Sequence, residues 1–437
     1  MHELLAPSQL KERIGKEVII AGWVHDVRVL GGISFVLLRN SKGIVQIAAP
    51  KKEVEESVFR VISELHQEDV IVCDGKVKES KAARMGFEII PRSIDVLSKS
   101  ATPLPLDPRG VTPASLDTRL RWRSLELRRP QASAIFKVEN AVVEGFEENL
   151  RLRGFIRAFT PSIIGGISEG GAEVFKIDFY GKDAFLRQDP QLHRQLTIAG
   201  GFDRVYDLGP NWRAELSHTP RHLSEHRTIA PEMAFLTDEG DTMRVEEEMV
   251  AHGIKKAIEE CPEDIAALDV ELKVPKTPFP EISFPEAYET LAKLGKKLPH
   301  GQDIDEGSQR ALADHVKKET GSDFFFLNRF PSAAKPFYVM RVDDSPEYAR
   351  SVDLVYKGLE LSSGGQREHR HDKIVAQISE KGFDPEGLKW FTEPFRYGVP
   401  PHGGYSFGIE RFVAYLLGIQ NIKEAALFPR DPDTLQP

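Results

Sequence analysis

"GPNWRAELSHTPRHLSEHRTIAPEMAF", residues 209–235, carries the strongest signal in this chain. Arg213, Arg221 and Arg227 alternate with Glu215, Glu225 and Glu232, between the apolar entry "YDLGPNW" and the apolar exit "MAF". Two β-like runs around a polar centre with Pro220 imply a hairpin, because proline presets the backbone of a turn. A surface hairpin laced with cross-strand charge pairs would look like this. So would an anion site in which guanidinium forks wait for phosphate oxygens. The segments further along the chain bear on the choice.

"PPHGGYSFGIERF", residues 400–412, places Gly403, Gly404 and Gly408 ahead of Glu410 and Arg411. Glycines let backbone come close to a flat or charged ligand, and a helix follows. From this piece alone, a glycine-rich turn before a core helix is an equal reading. It lacks the Gly-Lys-Ser/Thr ending of a P-loop and is not a dinucleotide fingerprint, so any nucleotide is held in another way.

In "SVDLVYKGLELSSGGQREHRHD", residues 351–372, Asp353 and Glu360 lie seven apart and need a twist or bulge to converge. With Ser363 they form an oxygen set suited to Mg2+, and Arg367 offers a fork for a carboxylate. The plain alternative is a solvated charge run after a strand, although "SSGG" is an unusual strand ending. Three separated segments that each pair Arg with Glu fit ATP-dependent activation of an acid. One guanidinium neutralises the α-phosphate, another holds the polyphosphate, and carboxylates carry the metal.

At 437 residues, 41% hydrophobic and 29% charged, the chain is expected to hold two or three globular domains. No apolar run approaches the roughly 20 residues of a membrane span. The start, "MHELLAPSQLKERIGKE", lacks the apolar core of a secretory signal. Cys73 and Cys261 are the only cysteines, so neither a disulfide framework nor a cysteine cluster is expected, and a reducing cytoplasm is the default compartment. The net charge of -9 argues against wholesale coating of nucleic acid but leaves room for a local basic face.

Residues 1–103 read as three short strands, a helix and two more strands, the order of an OB-fold barrel. Residues 104–130, first proline-rich and then basic, read as a hinge turning helical. From 131 to 437 long helical patterns alternate with β-like runs, an α+β domain around a mainly antiparallel sheet. Residues 245–319 are charged and helical, and are expected to form an insertion.

"FTPSII" around Pro161, the opening stretch, and "GGYSFGIERF" resemble motifs 1, 2 and 3 of the class II aminoacyl-tRNA synthetases. "TPLPLDP", "LDTRLRWRSLELRRP", "SEGGAEVF", "SSGGQREHRHD", "YGVPPHGG" and "LFPRDP" narrow the resemblance to the archaeal-type aspartyl-tRNA synthetases, over essentially the whole chain. The resemblance implies an anticodon-reading OB-fold joined to a homodimeric antiparallel-sheet catalytic domain with flanking helices. The reaction it implies joins L-aspartate to ATP as aspartyl-adenylate, then esterifies tRNA(Asp).

By that pattern Arg213 contacts the α-phosphate and Glu215 the adenine amino group. Arg221 and Arg411 hold the polyphosphate, with Gly408 also at the nucleotide, and Asp353, Glu360 and Ser363 hold Mg2+. Arg367 clamps the side-chain carboxylate of aspartate, Gln191 binds the amino acid, and Glu169 lies in a loop that closes over it. Arg28, Phe35 and Gln46 match anticodon readers. His25 falls where members strict for tRNA(Asp) often carry Trp, while relaxed members that also charge tRNA(Asn) carry His. Both acceptor sets therefore stay open.

The departures concentrate in the amino-acid pocket. "DPQLHRQ", residues 189–195, stands where the family usually has Ser-Pro-Gln-Leu-Tyr-Lys-Gln, so Arg194 replaces a carboxylate-binding lysine with a wider fork. In "TIAPEMAF", Ala230 replaces the aspartate that receives the substrate's α-ammonium, and Pro231 follows it. Ser406 replaces a glycine, and "ELSHT" a longer polar string. Three readings follow: an aspartyl-tRNA synthetase compensated locally by Asp189; a paralogue that activates another acid for tRNA or another acceptor; and a non-catalytic tRNA-binding protein. Retention of Arg213, Glu215, Asp353, Glu360 and Arg411 weighs against the third.

Overall fold

The β-branched and aromatic runs at the N-terminal end close into a barrel in the computed structural model, which describes residues 5–166 and 173–437. Its strands are β1 (Glu17–Val29), β2 (Ile33–Asn40), β3 (Gly43–Pro50), β4 (Val70–Glu79) and β5 (Phe87–Ser98), with helix α1 (Glu56–Ser63) between β3 and β4. They close in the order β1-β2-β3-β5-β4. Alternate residues point inward, and Val24, Val36, Ile47, Ile71 and Ile89 fill the interior.

The chain forms two compact units, Met1–Thr118 and Arg119–Pro437. The stretch read as a hinge over 104–130 therefore divides between them. Its basic end is structural: buried Arg123 donates to the carbonyls of Glu424, Ala426 and Leu427.

An eight-stranded sheet organises the second unit. In chain order its strands are β6 (Ile156–Ala158), β7 (Arg204–Trp212), β8 (Glu225–Ala234), β9 (Glu281–Ser283), β10 (Phe324–Asn328), β11 (Ser351–Tyr356), β12 (Leu359–Gln366) and β13 (His402–Gly408). The spatial order is β9-β10-β11-β12-β13-β8-β7-β6, antiparallel except for the two outer pairs. The helices that position the site are α2 (Pro130–Leu152), α3 (Gln191–Ala199), α4 (Gly240–Glu260), α5 (Phe284–Lys293), α6 (Glu306–Thr320) and α7 (Ile409–Leu416).

Helices α2 and α4 cover one face of the sheet, where Val142, Phe146, Met249 and Ile254 share a core with Ile229, Met233, Tyr405 and Phe407. Each such fully buried side chain contributes about 1.5–3 kcal/mol. The two helices touch at Gly145 and Gly253, where a Cβ on Gly145 would stand 2.7 Å from the Gly253 Cα. On the other face, α5 and α6 pack against Phe325, Leu327 and Val355.

Strand β10 is buried on both faces, which explains its unbroken "FFFLN". The charged helical stretch 245–319 differs from the expected insertion at both its start and its middle. It begins inside α4, a core helix, and includes β9, an outer strand of the main sheet. Charge on the solvent side of α4 masked its buried stripe.

Candidate active site

The opening stretch is the β7–β8 hairpin. Its register runs from Arg204–Met233 through Asp207–Ala230 to Trp212–Glu225, and Arg213 N–H continues it to the Ser224 carbonyl at 2.9 Å. Since Ile229 and Met233 enter the core under α2 and α4, the even-numbered residues His226, Thr228, Ala230 and Glu232 lie on the opposite face. A cavity of about 330 Å3 lies there, lined among others by Arg213, Glu215, Arg221, Glu360, Arg367 and Arg411. The three hairpin arginines therefore divide. Arg213 and Arg221 line the cavity. Arg227 turns away and binds Glu410 through its backbone N–H at 2.9 Å and its Nη1 at 3.2 Å.

Arg213 Nη1 stands 3.5 Å from Glu215 Oε1, and its side chain is half exposed. Arg221 Nη1 is 2.6 Å from Glu306 Oε1, in the first turn of α6. Arg411, in the first turn of α7, donates to the Glu360 carbonyl at 3.3 Å, and Gly408 caps that helix at the cavity wall. His226 also lines the cavity. Burial, then Arg213 and Arg411, push its imidazole down to about 4, so it is neutral near pH 7.

The β11–β12 hairpin answers how Asp353 and Glu360 converge. Asp353 faces Ser363 and Leu354 faces Ser362, but Val355 faces Glu360, so Leu361 is a surplus residue, a β-bulge. Glu360 and Ser363, three apart, would sit on opposite faces of a regular strand; the bulge puts both beside Asp353. The Ser363 hydroxyl donates to Asp353, and Lys335 Nζ reaches both Asp353 oxygens at 3.0 and 3.1 Å. Burial drives the Asp353 carboxyl up to about 7, Lys335 opposing and Glu360 reinforcing the rise. "SSGG" also has its reason here: a Cβ at Gly364 would strike the Gly404 carbonyl oxygen of β13.

A polar network fills the part of the site formed by α3, β8 and β13. Arg367 donates from Nε to Glu232 Oε1 at 2.9 Å, and from Nη2 to Glu232 Oε2 at 3.3 Å and the Gly404 carbonyl at 2.9 Å. Gln191 Nε2 reaches Glu232 Oε2 at 3.2 Å. Burial opposes ionisation of Glu232, but Arg367 and Arg194 prevail and hold its pKa below the usual glutamate value.

Arg194, expected to touch the substrate, lies behind the wall. It is fully buried and absent from the cavity lining, with Nη1 on Asp189 Oδ1 (2.9 Å), Nη2 on Gln191 Oε1 (2.6 Å) and Nε 3.5 Å from Glu232. An arginine's longer fork reaches acids that flank the slot rather than its centre. His402 is locked between Gln195 Nε2 and the Pro400 carbonyl. Glu169 lies outside the described residues.

A family model for tRNA synthetases class II (D, K and N) matches residues 115–432, and one for an OB-fold nucleic acid binding domain matches residues 18–97. The chain is a class II tRNA synthetase of the D, K and N family. It is 45% identical over 427 residues to the aspartate–tRNA(Asp) ligase of Pyrococcus horikoshii, covering 98% of both chains. It is 46% identical over 426 residues to the aspartate–tRNA(Asp/Asn) ligase of Methanopyrus kandleri, covering 98% of this chain and 97% of the relative. Among solved structures, asparaginyl-tRNA synthetase of P. horikoshii with asparaginyl-adenylate superposes with a TM-score of 0.91 at 33% identity, covering 100% of both chains. Aspartyl-tRNA synthetase of Entamoeba histolytica gives 0.89 at 29%, covering 100% of this chain and 93% of that one.

The synthetase's barrel carries its candidate anticodon residues on the outer face of β1–β3. Arg28 lies directly opposite Phe35, and Gln46 opposite Leu37. His25 occupies a bulge in β1 and contacts Arg39 Nη1 at 3.0 Å. Arg28 is largely exposed beside Asp26, and Gln46 Nε2 donates to Glu88 at 3.2 Å. In the catalytic unit, sequence reading missed Lys335, His226 and Thr228. The last two share strand parity with Glu232, a usable signal; the loop "SAAKPF" holding Lys335 offered none.

Proposed function

We propose that this synthetase activates L-aspartate with ATP and esterifies tRNA(Asp), with tRNA(Asn) as a second acceptor. The supporting observation is the shared cavity: Arg213, Arg221 and Arg411 line it together with Arg367. Arg213 and Arg411 suit the α-phosphate and polyphosphate, and Arg367 the side-chain carboxylate of aspartate. The substrate's α-carboxylate oxygen attacks the α-phosphorus and pyrophosphate leaves. A ribose hydroxyl of the tRNA's terminal adenosine then attacks the mixed anhydride and AMP leaves. Glu215 accepts from the adenine amino group, and neutral His226 gives the nucleotide an uncharged wall.

Of the expected Mg2+ donors, Glu360 and Ser363 line the cavity, while Asp353 is buried beside them with both oxygens held by Lys335 Nζ. The set has oxygens only and too few ligands to complete a shell without phosphates and water, and Asp353 would join it on exchanging Lys335 for the ion. When bound, the ion would neutralise phosphate charge. Exposed Ile156, Phe159 and Ile163 supply apolar surface for a homodimer, whose presence analytical ultracentrifugation would report.

ATP–pyrophosphate exchange driven by L-aspartate, followed by charging of purified tRNA(Asp) and tRNA(Asn), tests the assignment. Exchange driven only by another acid would replace it with the second reading, which the missing carboxylate at Ala230 favours. No exchange with any acid would leave a tRNA-binding protein.

A further inference from the structure

We propose that the Asp189 carboxylate receives the α-ammonium of the amino-acid substrate, supplying from the start of α3 a charge that β8 does not provide at Ala230. This rests on the reading of an amino acid as substrate. Among the described residues, four acids line the cavity: Asp189, Glu215, Glu360 and Glu410. Glu215 neighbours Arg213 and His222, Glu360 belongs with Asp353, and Glu410 is bound to Arg227. Asp189 is the one placed with Gln191 and Arg367, the side chains suited to an amino acid.

Its surroundings hold it ready. The Arg194 guanidinium fixes Oδ1 at 2.9 Å, and the Ser406 hydroxyl donates to the same carboxylate. A carboxylate offers about four lone-pair directions, so these two donors leave room for two more. The side chain keeps 11% of its surface exposed, at the cavity wall, whereas Arg194 behind it has none.

The strand geometry brings positions 189 and 230 to one place. Pairing of β8 with β13 runs Thr228–Gly408 and Ile229–Phe407, then resumes at Glu232–Gly404, so Ala230 falls opposite Ser406. Ala230 lies on the cavity face of β8, between Thr228 and Glu232, and is fully buried. Its cross-strand neighbour Ser406 is the residue that donates to Asp189. Asp189, Ser406, Arg194 and Ala230 thus form one contiguous arrangement, with the acid just ahead of α3 and a methyl on the strand.

The charges agree. Asp189 and Glu232 balance Arg194 and Arg367 within this network. An entering α-ammonium needs a further hydrogen-bond acceptor, and Asp189 is the acid at the wall with capacity to spare. An amine-free acid such as succinate would set a methylene against this carboxylate and leave its two remaining acceptor directions without a donor.

The test compares L-aspartate with succinate as ligands of the full-length protein, through exchange with L-aspartate and its inhibition by succinate. In Asp189→Asn, the apparent affinity for L-aspartate should fall about 10- to 100-fold while that for succinate changes little, so the preference for the amine collapses. The KM for ATP should hold. Asp189→Ser combined with Ala230→Asp moves the charge to the strand and should restore the preference. An unchanged ratio in Asp189→Asn overturns the assignment, as does an equal loss for both compounds, which would mark a displaced Arg194. Wild-type protein that shows no exchange with any amino acid overturns the proposed function as well.

Discussion

Replacing Glu232 with alanine is the most exacting probe of the buried network. Glu232 has no exposure and accepts from Arg367 at 2.9 and 3.3 Å, from Gln191 at 3.2 Å, and from Arg194 at 3.5 Å. Its loss leaves the buried Arg367 guanidinium with only the Gly404 carbonyl among the described residues, while Arg194 keeps Asp189; removing one partner of a buried ion pair costs about 3–5 kcal/mol. With an unfolding entropy of about 2.1 cal/mol/K per residue, 1 kcal/mol shifts the melting of Arg119–Pro437 by about 1.5 °C. The expected drop is therefore about 5–7 °C. Glu232→Gln, which keeps the shape and one acceptor, should fall by less, and both should raise the KM for L-aspartate by releasing Arg367. Differential scanning calorimetry and pyrophosphate exchange read the two effects. A Glu232→Ala protein melting within about 1 °C of the parent, with its KM intact, would refute the network described here.

Arg213→Ala should lower exchange by about 10²–10³-fold with little change in melting, because its side chain is half exposed. Phe35→Ala should weaken tRNA binding by about 1–3 kcal/mol in a filter-binding assay and leave tRNA-independent exchange untouched. Gly364→Ala should destabilise the catalytic unit by about 1–3 kcal/mol or more, seen as a lower melting temperature, since its Cβ meets the Gly404 carbonyl. His402 is fully buried and its imidazole is pushed down to about 4, chiefly by burial. The folded protein then binds fewer protons than the unfolded chain, so this stability is complete above pH 6.5 and is lost as pH falls toward 4. Melting measured from pH 7 to 5 should show a slope of up to about 1.4 kcal/mol per pH unit from this group, flattened in His402→Gln.

Most of the charged lining of the cavity was legible because its residues fall in short strings. Arg213 and Glu215 share one strand end, and Arg411 follows a glycine-rich strand into a helix. Convergence of Asp353 with Glu360 was legible only as a condition, since strand periodicity says that seven residues need a bulge but not where it falls. Arg194 was misplaced because charge type predicts attraction to a carboxylate without saying which carboxylate arrives first. Here Asp189 and Glu232 claim it inside the wall. The stretch 245–319 was misread because helical periodicity cannot distinguish a charged appendage from a helix with one buried stripe. Lys335 could not be found at all; a loop lysine becomes a partner of Asp353 only through tertiary packing.

The surplus residue Leu361 also constrains how this hairpin can change over time. Strand faces alternate like odd and even numbers, so removing one residue between Glu360 and Ser363 would swap inward and outward for everything on one side of the gap. Point substitutions can be absorbed there one at a time, but a single-codon deletion would turn either the acid or the hydroxyl into the opposite layer. Length should therefore be more rigidly preserved than residue identity across this segment.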